Sequence, residues 1–385
     1  KAYLTSKQVQ QTQMNKQYEK IDFQTLTFNA KGQVINEAFF DSIFEPNKHF
    51  YLITFQEITG DSQMIMNLKR AMSKEEKLLD TYINYTKKYL PQYHIQGQQV
   101  NSQVLIIAYK DPLQVEQIIK VQEPKMKGAI ICHLKINKSS LLIVGCHLDS
   151  NRKKDGFKIR NQQLDNIFSH RLQNQNNVCS QLQQLDPQLR NAFGWLQQEQ
   201  IELLRHCDYC IIQGDLNYRV HSQKCRKFVK ENKIAEILKK DELTWQMRQQ
   251  IPSLDEIESD DAFIGSISVH HSRQFSGAFV EEEEETYEQS KILSGFKEKE
   301  IDFLPTYKIV DKDYSQDRTP SYCDRILYKV ISPDVKFEIT HYESLEYYES
   351  DHFPVLSEGW LTVRPELCEI DVQRATTSFN LLGQK

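Results

Sequence analysis

The sequence predicts a single domain of the α/β or α+β class, with strands and helices mixed along its whole length. Short runs rich in Ile, Val, Leu, Phe and Tyr recur from end to end, apolar residues recur at helical spacing between them, and no internal repeat is present. At 385 residues the chain is long enough to bury a sizeable core without staples, and 19 Phe and 18 Tyr supply the material.

The first 20 residues are rich in Gln and Lys without periodicity and read as a lead-in to a domain at 21–364. Strands are expected at 23–28, 50–56, 103–109, 128–136, 141–147, 209–213, 325–330 and 354–363, each bounded by Gly, Asn, Asp or Lys. Ser73 and Glu76 stand at capping-box spacing ahead of Leu79, Tyr82, Ile83 and Leu90, which predicts a helix ended by Pro91. Further helices are expected at 158–172, 188–204 and 224–238, the last with Phe228, Ile234 and Leu238 on one side. Residues 251–289 break character: five adjacent carboxylates at 281–285 repel one another and resist burial, so this reads as an acidic, flexible insertion. His270 and His271 within it read as solvated. Residues 365–385 read as a tail or the start of a truncated neighbour, and a chain opening on Lys1 reads as a piece of a longer protein.

Forty-eight basic and 53 acidic residues give a formal charge of -5, which argues against a protein that lives on nucleic acid. The best apolar run, 141–148, is strand-sized, and no signal peptide is visible. Eight cysteines at no framework-like spacing read as reduced thiols of an intracellular protein. His206, Cys207 and Cys210, with His221 and Cys225 downstream, come nearest to a zinc spacing. The segment between them reads as a buried strand, so core thiols are the better reading.

Five segments place polar, acidic or histidine residues at the ends of apolar strands, where a site built on a sheet opens into loops. Thr27-Phe28-Asn29 and Phe55-Gln56-Glu57 are the first two. A carboxylate such as Glu57 at a strand end usually faces solvent, but it is also the ligand that a hard Mg²⁺ ion takes. Gly145-Cys146-His147 is the third; a lone His there is more often a satisfied core residue. The fourth, Gly214-Asp215-Leu216-Asn217-Tyr218-Arg219, sets an Asp and an Asn two apart, where both can point into one cleft. The fifth joins Asp324, opening a strand, with Asp351-His352, a carboxylate and an imidazole suited to an orienting pair. No Walker loop appears and no nucleophile loop is evident, which favours direct water attack.

GDLNYR, PSYCDRIL and SDHFPV, in that order, resemble the catalytic domain of the inositol polyphosphate 5-phosphatases. TFN, FQE, KGAIICHLKI, GCHL followed by Arg160-Asn161, and GFKEKEIDFLPTYK extend the likeness over about residues 20–364. The resemblance implies a deoxyribonuclease-I-like, four-layer α/β sandwich: two packed, mostly antiparallel sheets flanked by helices, with one Mg²⁺ at the sheet ends. It implies that Glu57 is the principal metal ligand, supported by Asn29, with Asp351 close to the metal. Asp215 would activate the attacking water and Asn217 align the scissile phosphate. His147 and His352 would contact phosphate, Asp324 would partner His352, and Arg325 would be an ion-pairing scaffold residue. Lys127, Arg160, Asn161, Tyr307, Lys308 and Arg318 match substrate-binding positions. Gln316 stands where many family members carry Lys, Met126 replaces an Asn, Tyr322 replaces the common Trp, and Phe353 replaces a frequent Lys.

The implied reaction is Mg²⁺-dependent removal of the 5-phosphate from phosphoinositides, foremost phosphatidylinositol 4,5-bisphosphate, or from soluble inositol polyphosphates. A cytoplasmic protein in peripheral contact with membranes is expected, with Lys153, Lys154 and Lys158 as a candidate basic rim. Two other readings are a nuclease of the same superfamily and an inactive phosphoinositide-binding scaffold. The net acidity counts against the first, and the retained acidic and histidine residues against the second.

Overall fold

A computed structural model describes residues 18–58, 68–153, 155–170, 203–204, 207–248, 290 and 292–365. Its strands are β1 (Glu19–Asn29), β2 (Phe50–Gln56), β3 (His94–Val100), β4 (Gln103–Tyr109), β5 (Leu113–Glu123), β6 (Lys127–Ile136), β7 (Ser139–His147), β8 (Tyr209–Asp215), β9 (Ile309–Val310), β10 (Asp313–Tyr314), β11 (Asp324–Val330), β12 (Phe337–Ser344) and β13 (Val355–Val363). The helices are α1 (Glu37–Ile43), α2 (Leu68–Tyr89), α3 (Gly156–Phe168), α4 (Cys225–Lys230), α5 (Ile234–Leu238) and α6 (Glu242–Arg248).

Six strands form one sheet in the order β12-β13-β1-β2-β4-β3, and five form a second in the order β11-β8-β7-β6-β5. Each is antiparallel but for one pair, β1 with β2 and β7 with β8. Phe23, Phe50, Leu52 and Ile107 of the first sheet and Ile130, Leu141, Ile143 and Ile211 of the second share one buried core between them. Leu26, Phe28 and Phe55 face the other way, onto Phe39 and Phe40 of α1 and Tyr82 of α2. Ile131, Leu142, Val144 and Ile212 pack outward on Phe157, Leu164 and Ile167 of α3. Helix, sheet, sheet and helix are the four layers expected.

Because a strand turns alternate residues to opposite faces, every second residue lies between the sheets. Along β8 those are Tyr209, Ile211, Gln213 and Asp215; along β7, Leu141, Ile143, Gly145 and His147. Both series run from apolar to polar toward the same end. Gln213 joins the layers there: its amide Nε2 donates to Leu26 O and to Thr54 Oγ1, both at 3.1 Å, and its Oε1 accepts from Thr25 Oγ1. A buried amide needs such partners, so the two sheets are held in one mutual register at this end.

The eight expected strands are all present; β9 and β10, of two residues each, are too short to read from sequence, and neither are β3, β5 and β12 legible. These three are edge strands, half exposed, so their sequences do not read as apolar runs. The helix expected over 224–238 is two helices, because Asn232 takes a left-handed φ of 52° after α4 and Lys233 N bonds back to Phe228 O. Asn36 caps the unpredicted α1 by accepting from Phe39 N at 3.0 Å. Most of the expected 188–204 helix, the 251–289 insertion with its histidine pair, and both terminal segments lie outside the described residues. No helix among the described residues is long and apolar enough to cross a membrane. Cys207, Cys210 and Cys225 are buried thiols outside any disulfide and His221 is committed to Glu242, so among the described residues they do not form a zinc site.

Gly214 carries the close approach of β8 to β7. Its φ is +146°, and a Cβ there would lie 1.9 Å from Cys146 O. Gly214→Ala is expected to lower stability by about 3 kcal/mol or more, read as a fall in denaturant midpoint.

Candidate active site

The parallel register sets His147 beside Asp215, and the antiparallel register of β11 sets Asp324 on its other side. Asn29 ends β1 in the facing sheet and donates from Nδ2 to Asp215 Oδ2 at 2.8 Å. Asp215 is therefore the residue on which both sheets close. His147 Nε2 lies 3.4 Å from Asp215 Oδ2 and 3.4 Å from Glu57 Oε1. Lys127, paired across β6 next to His147, brings its Nζ against His147 Nε2 and 3.9 Å from Glu57 Oε1. Glu57 leaves β2 with a φ of +52° and keeps its carboxylate half exposed.

The charge states follow from these neighbours. Burial works to raise the Asp215 carboxyl, but the hydrogen bond with His147 and the charges of His352, His147 and Lys127 outweigh it and hold the group well below the usual carboxylate range. Burial pulls the Lys127 ammonium below its ordinary value against Asp215, Glu57 and Asp149.

His352 forms the second pole. Its Nδ1 lies 2.8 Å from Asp324 Oδ2, which also accepts from Thr306 Oγ1 at 2.7 Å. Burial works to lower the imidazole, but Asp324, then Asp215 and Asp351, raise it to about 9. The ring packs on Tyr307 at 4.5 Å between centroids, and Arg219 lies 4.8 Å over the Tyr307 ring.

The remaining expected residues fall in several places. Asn217 is buried with both ends of its amide engaged, Nδ2 donating to Leu148 O at 3.0 Å and Oδ1 accepting from Arg219; its backbone N donates to Asp215 Oδ1 at 3.1 Å. Asp351 is paired with Lys31 at 3.4 Å. Lys308 and Arg318 both flank Asp317. Arg160 and Asn161, expected at the substrate, are enclosed instead. Arg160 is 0% exposed and bonds Asp149 O, Asn151 O and Glu242, while Asn161 bonds Tyr218 and Gln246. Any part they take in binding passes through the elements they hold. Arg325 is buried between Glu298 and Asp241 at 2.7 and 2.9 Å, as an ion-pairing scaffold residue would be.

Thr306, Arg219 and Glu242 escaped the sequence reading. Thr306 and Arg219 stand inside recognised segments but carry no signal of their own. Glu242 gathers Arg160, His221 and Arg219 N from three separate elements.

Two sets of donors lie close enough to hold a cation: Glu57, His147 and Asp215, and Asp215, Asp324 and His352, with ligand atoms within 4.8 Å of one another in each. The first fits a hard divalent ion better, since it offers two carboxylates, one of them open to solvent, with the Asn29 amide beside them. In the second both carboxylates are buried, and Asp324 Oδ2 is already engaged by His352 Nδ1 and Thr306 Oγ1.

A model of endonuclease/exonuclease/phosphatase family 2 matches residues 26–261 and 278–358. The chain belongs to this family. Among its sequence relatives are a probable inositol polyphosphate 5-phosphatase of Schizosaccharomyces pombe, 27% identical over 60% of this chain, and type IV inositol polyphosphate 5-phosphatase 11 of Arabidopsis thaliana, 22% identical over 60%. The matched region spans 16% of the first protein and 51% of the second. The inositol polyphosphate 5-phosphatase domain of a synaptojanin, solved with inositol (1,4)-bisphosphate and calcium, superposes with a TM-score of 0.62 at 16% identity, over 97% of this chain and 94% of that one. A Cimex nitrophorin solved as its ferrous NO complex does so at 0.56 and 14% identity, over 89% and 99%. The deoxyribonuclease-I-like sandwich is thus the right fold, and one fold carries unrelated chemistries, so function rests on the side chains of the site.

By NMR the His352 imidazole is expected to titrate near 9 rather than 6.5, and Asp324→Asn to bring it down. The pair's contribution to stability is complete below 6.5 and is lost as pH rises through about 9. Glu242→Gln leaves Arg160 without its buried carboxylate and is expected to cost about 3–5 kcal/mol in denaturant unfolding.

Proposed function

We propose that this chain is a Mg²⁺-dependent phosphomonoesterase that removes the 5-phosphate of phosphoinositides, foremost phosphatidylinositol 4,5-bisphosphate, or of soluble inositol polyphosphates, by direct in-line attack of water. The observation that carries it is the placing of Glu57, His147 and Asp215 against Asp324 and His352 at one rim. The reading draws further support from the 5-phosphatases among the chain's relatives.

A phosphate monoester carries nearly two negative charges, so the attacking oxygen is repelled and the uncatalysed reaction is among the slowest known. When bound, a divalent cation offsets charge on the phosphoryl oxygens. Glu57 would be its main ligand, with Asn29 and Asp215 beside it. Asp215, ionised at neutral pH, accepts a hydrogen bond from the attacking water and orients it; the water oxygen bonds phosphorus as the P–O bond to the inositol breaks, and the proton it gives up passes to the departing inositol oxygen. Asn217 acts through it, its backbone N–H holding Oδ1 and its amide fixing the turn. His352, kept charged by Asp324, and the Lys127–His147 pair supply positive charge where the transition state gathers negative charge. Tyr307, Lys308 and Arg318 extend the cationic surface toward the rest of an inositol ring. Peripheral contact with a cytoplasmic membrane face is part of the same proposal, with Lys153 exposed ahead of α3 and Lys158 half-buried in its first turn; Lys154 lies outside the described residues.

Phosphate release from a panel of inositides and soluble inositol phosphates tests this. Chelation is expected to abolish release and Mg²⁺ to restore it. Asp215→Asn is expected to lower kcat by about 10²–10⁴-fold with the fold intact. Activity equal to the parent in that variant would defeat the mechanism, and preferential cleavage of single-stranded or abasic DNA would favour a nuclease.

A further inference from the structure

The loop at 315–318 carries a carboxylate that the proposed hydrolysis does not use. Asp317 Oδ2 lies 3.1 Å from Arg318 NH1 and 3.7 Å from Lys308 Nζ. Its Oδ1 accepts from Ser315 Oγ, and its backbone N donates to the same hydroxyl at 3.3 Å. The loop is itself pinned. Arg226 of α4 donates to the carbonyls of Gln316 and Arg318 at 2.8 Å and of Ser315 at 3.3 Å, and Ser315 N donates to Lys308 O at 2.9 Å. The carboxylate is held in place.

Its position matters because of what Lys308 adjoins. Tyr307, one residue before, packs on His352, and Ile309, one residue after, donates its N–H to Asp351 O at 2.8 Å. Lys308 and Arg318 are thus the cations immediately beside the pole that faces phosphate, and both are already matched to a negative charge. Gln316, beside them, contributes none. A ligand with a single phosphate at the site leaves this triad undisturbed. On the phosphatase reading, a second phosphate on the neighbouring ring carbon would compete with Asp317 for Lys308 and Arg318.

We propose that Asp317 is a specificity-determining residue, a built-in counter-ion that occupies Lys308 and Arg318 and lowers the preference for substrates phosphorylated next to the scissile position. This rests on the phosphatase reading above. It is a repulsive element, a carboxylate that a ligand without the 4-phosphate never meets, and it narrows rather than reverses the preference for phosphatidylinositol 4,5-bisphosphate. The pair is half open to solvent, so the effect is modest and weakens with salt.

The test uses the isosteric Asp317→Asn, which keeps an acceptor for Ser315, and Asp317→Lys. Binding of inositol 1,4-bisphosphate and of inositol 1-phosphate is measured by calorimetry at low and high salt, in parallel with phosphate release from inositol 1,4,5-trisphosphate and inositol 1,5-bisphosphate. Asp317→Asn is expected to tighten the ligand with the 4-phosphate about three- to tenfold relative to the one without it, Asp317→Lys to go further, and the gain to shrink in high salt. The kcat/KM ratio of the two substrates is expected to move the same way. Equal shifts for both ligands, or none, would overturn the role of Asp317. The expected binding shift without phosphate release from either substrate would leave Asp317 in place and overturn the phosphatase reading, and failure of either ligand to bind would overturn both.

Discussion

The structure depends on one constraint: the inner faces of two parallel strand pairs, one in each sheet, are in register at the same end of the sandwich. Every second residue of β1, β2, β7 and β8 lies between the sheets, and each series passes from aromatic or aliphatic, through Thr25 and Thr27, Thr54, Gly145 or Gln213, to Asn29, Gln56, His147 or Asp215. The apolar halves hold the sheets together. The polar ends would be costly to bury alone, so they bond across the gap, Gln213 to β1 and β2 and Asn29 to Asp215. The core and the site are two halves of the same strands, and what aligns one aligns the other.

From that alignment follows the electrostatics of the rim. Asp215 is buried yet ionised because His147, Lys127 and His352 converge on it. His352 is buried yet charged because Asp324 stands beside Asp215 in the adjacent strand. Burial alone would push each group toward its neutral form. Behind them a second layer of buried charge, Arg160 with Glu242 and His221, and Arg325 with Asp241 and Glu298, fixes the elements from which the rim loops spring. Buried ions of this kind add little net stability, since desolvation offsets their attraction, but removing one partner strands the other. Their use here is positional.

The nitrophorin likeness sharpens where function resides. A sandwich of this shape serves a protein solved with a ferrous NO complex as well as one solved with an inositol bisphosphate. What separates such proteins is carried by a few side chains at strand ends and by loops such as 315–318, where one carboxylate among cations changes which ligands are welcome.

The sequence by itself determined the central strands, because strands covered on both faces must be apolar along their length and so stand out. It also pointed to the residues that the structure gathers at the rim, Glu57, His147, Asp215, Asp324 and His352, because the GDLNYR, CDRIL and SDH segments stand out even without coordinates. The edge strands β3, β5 and β12 escaped it, since half of each faces solvent and no apolar run remains. Only the tertiary structure decided that Arg160 and Asn161 are enclosed, that Asn217 reaches Asp215 through its backbone, and that Asp317 engages Lys308 and Arg318. The physical reason is the same in each case. A motif fixes which group is present, whereas burial and partnership depend on chain segments tens of residues away, and spacing along the sequence carries no record of what folds against it.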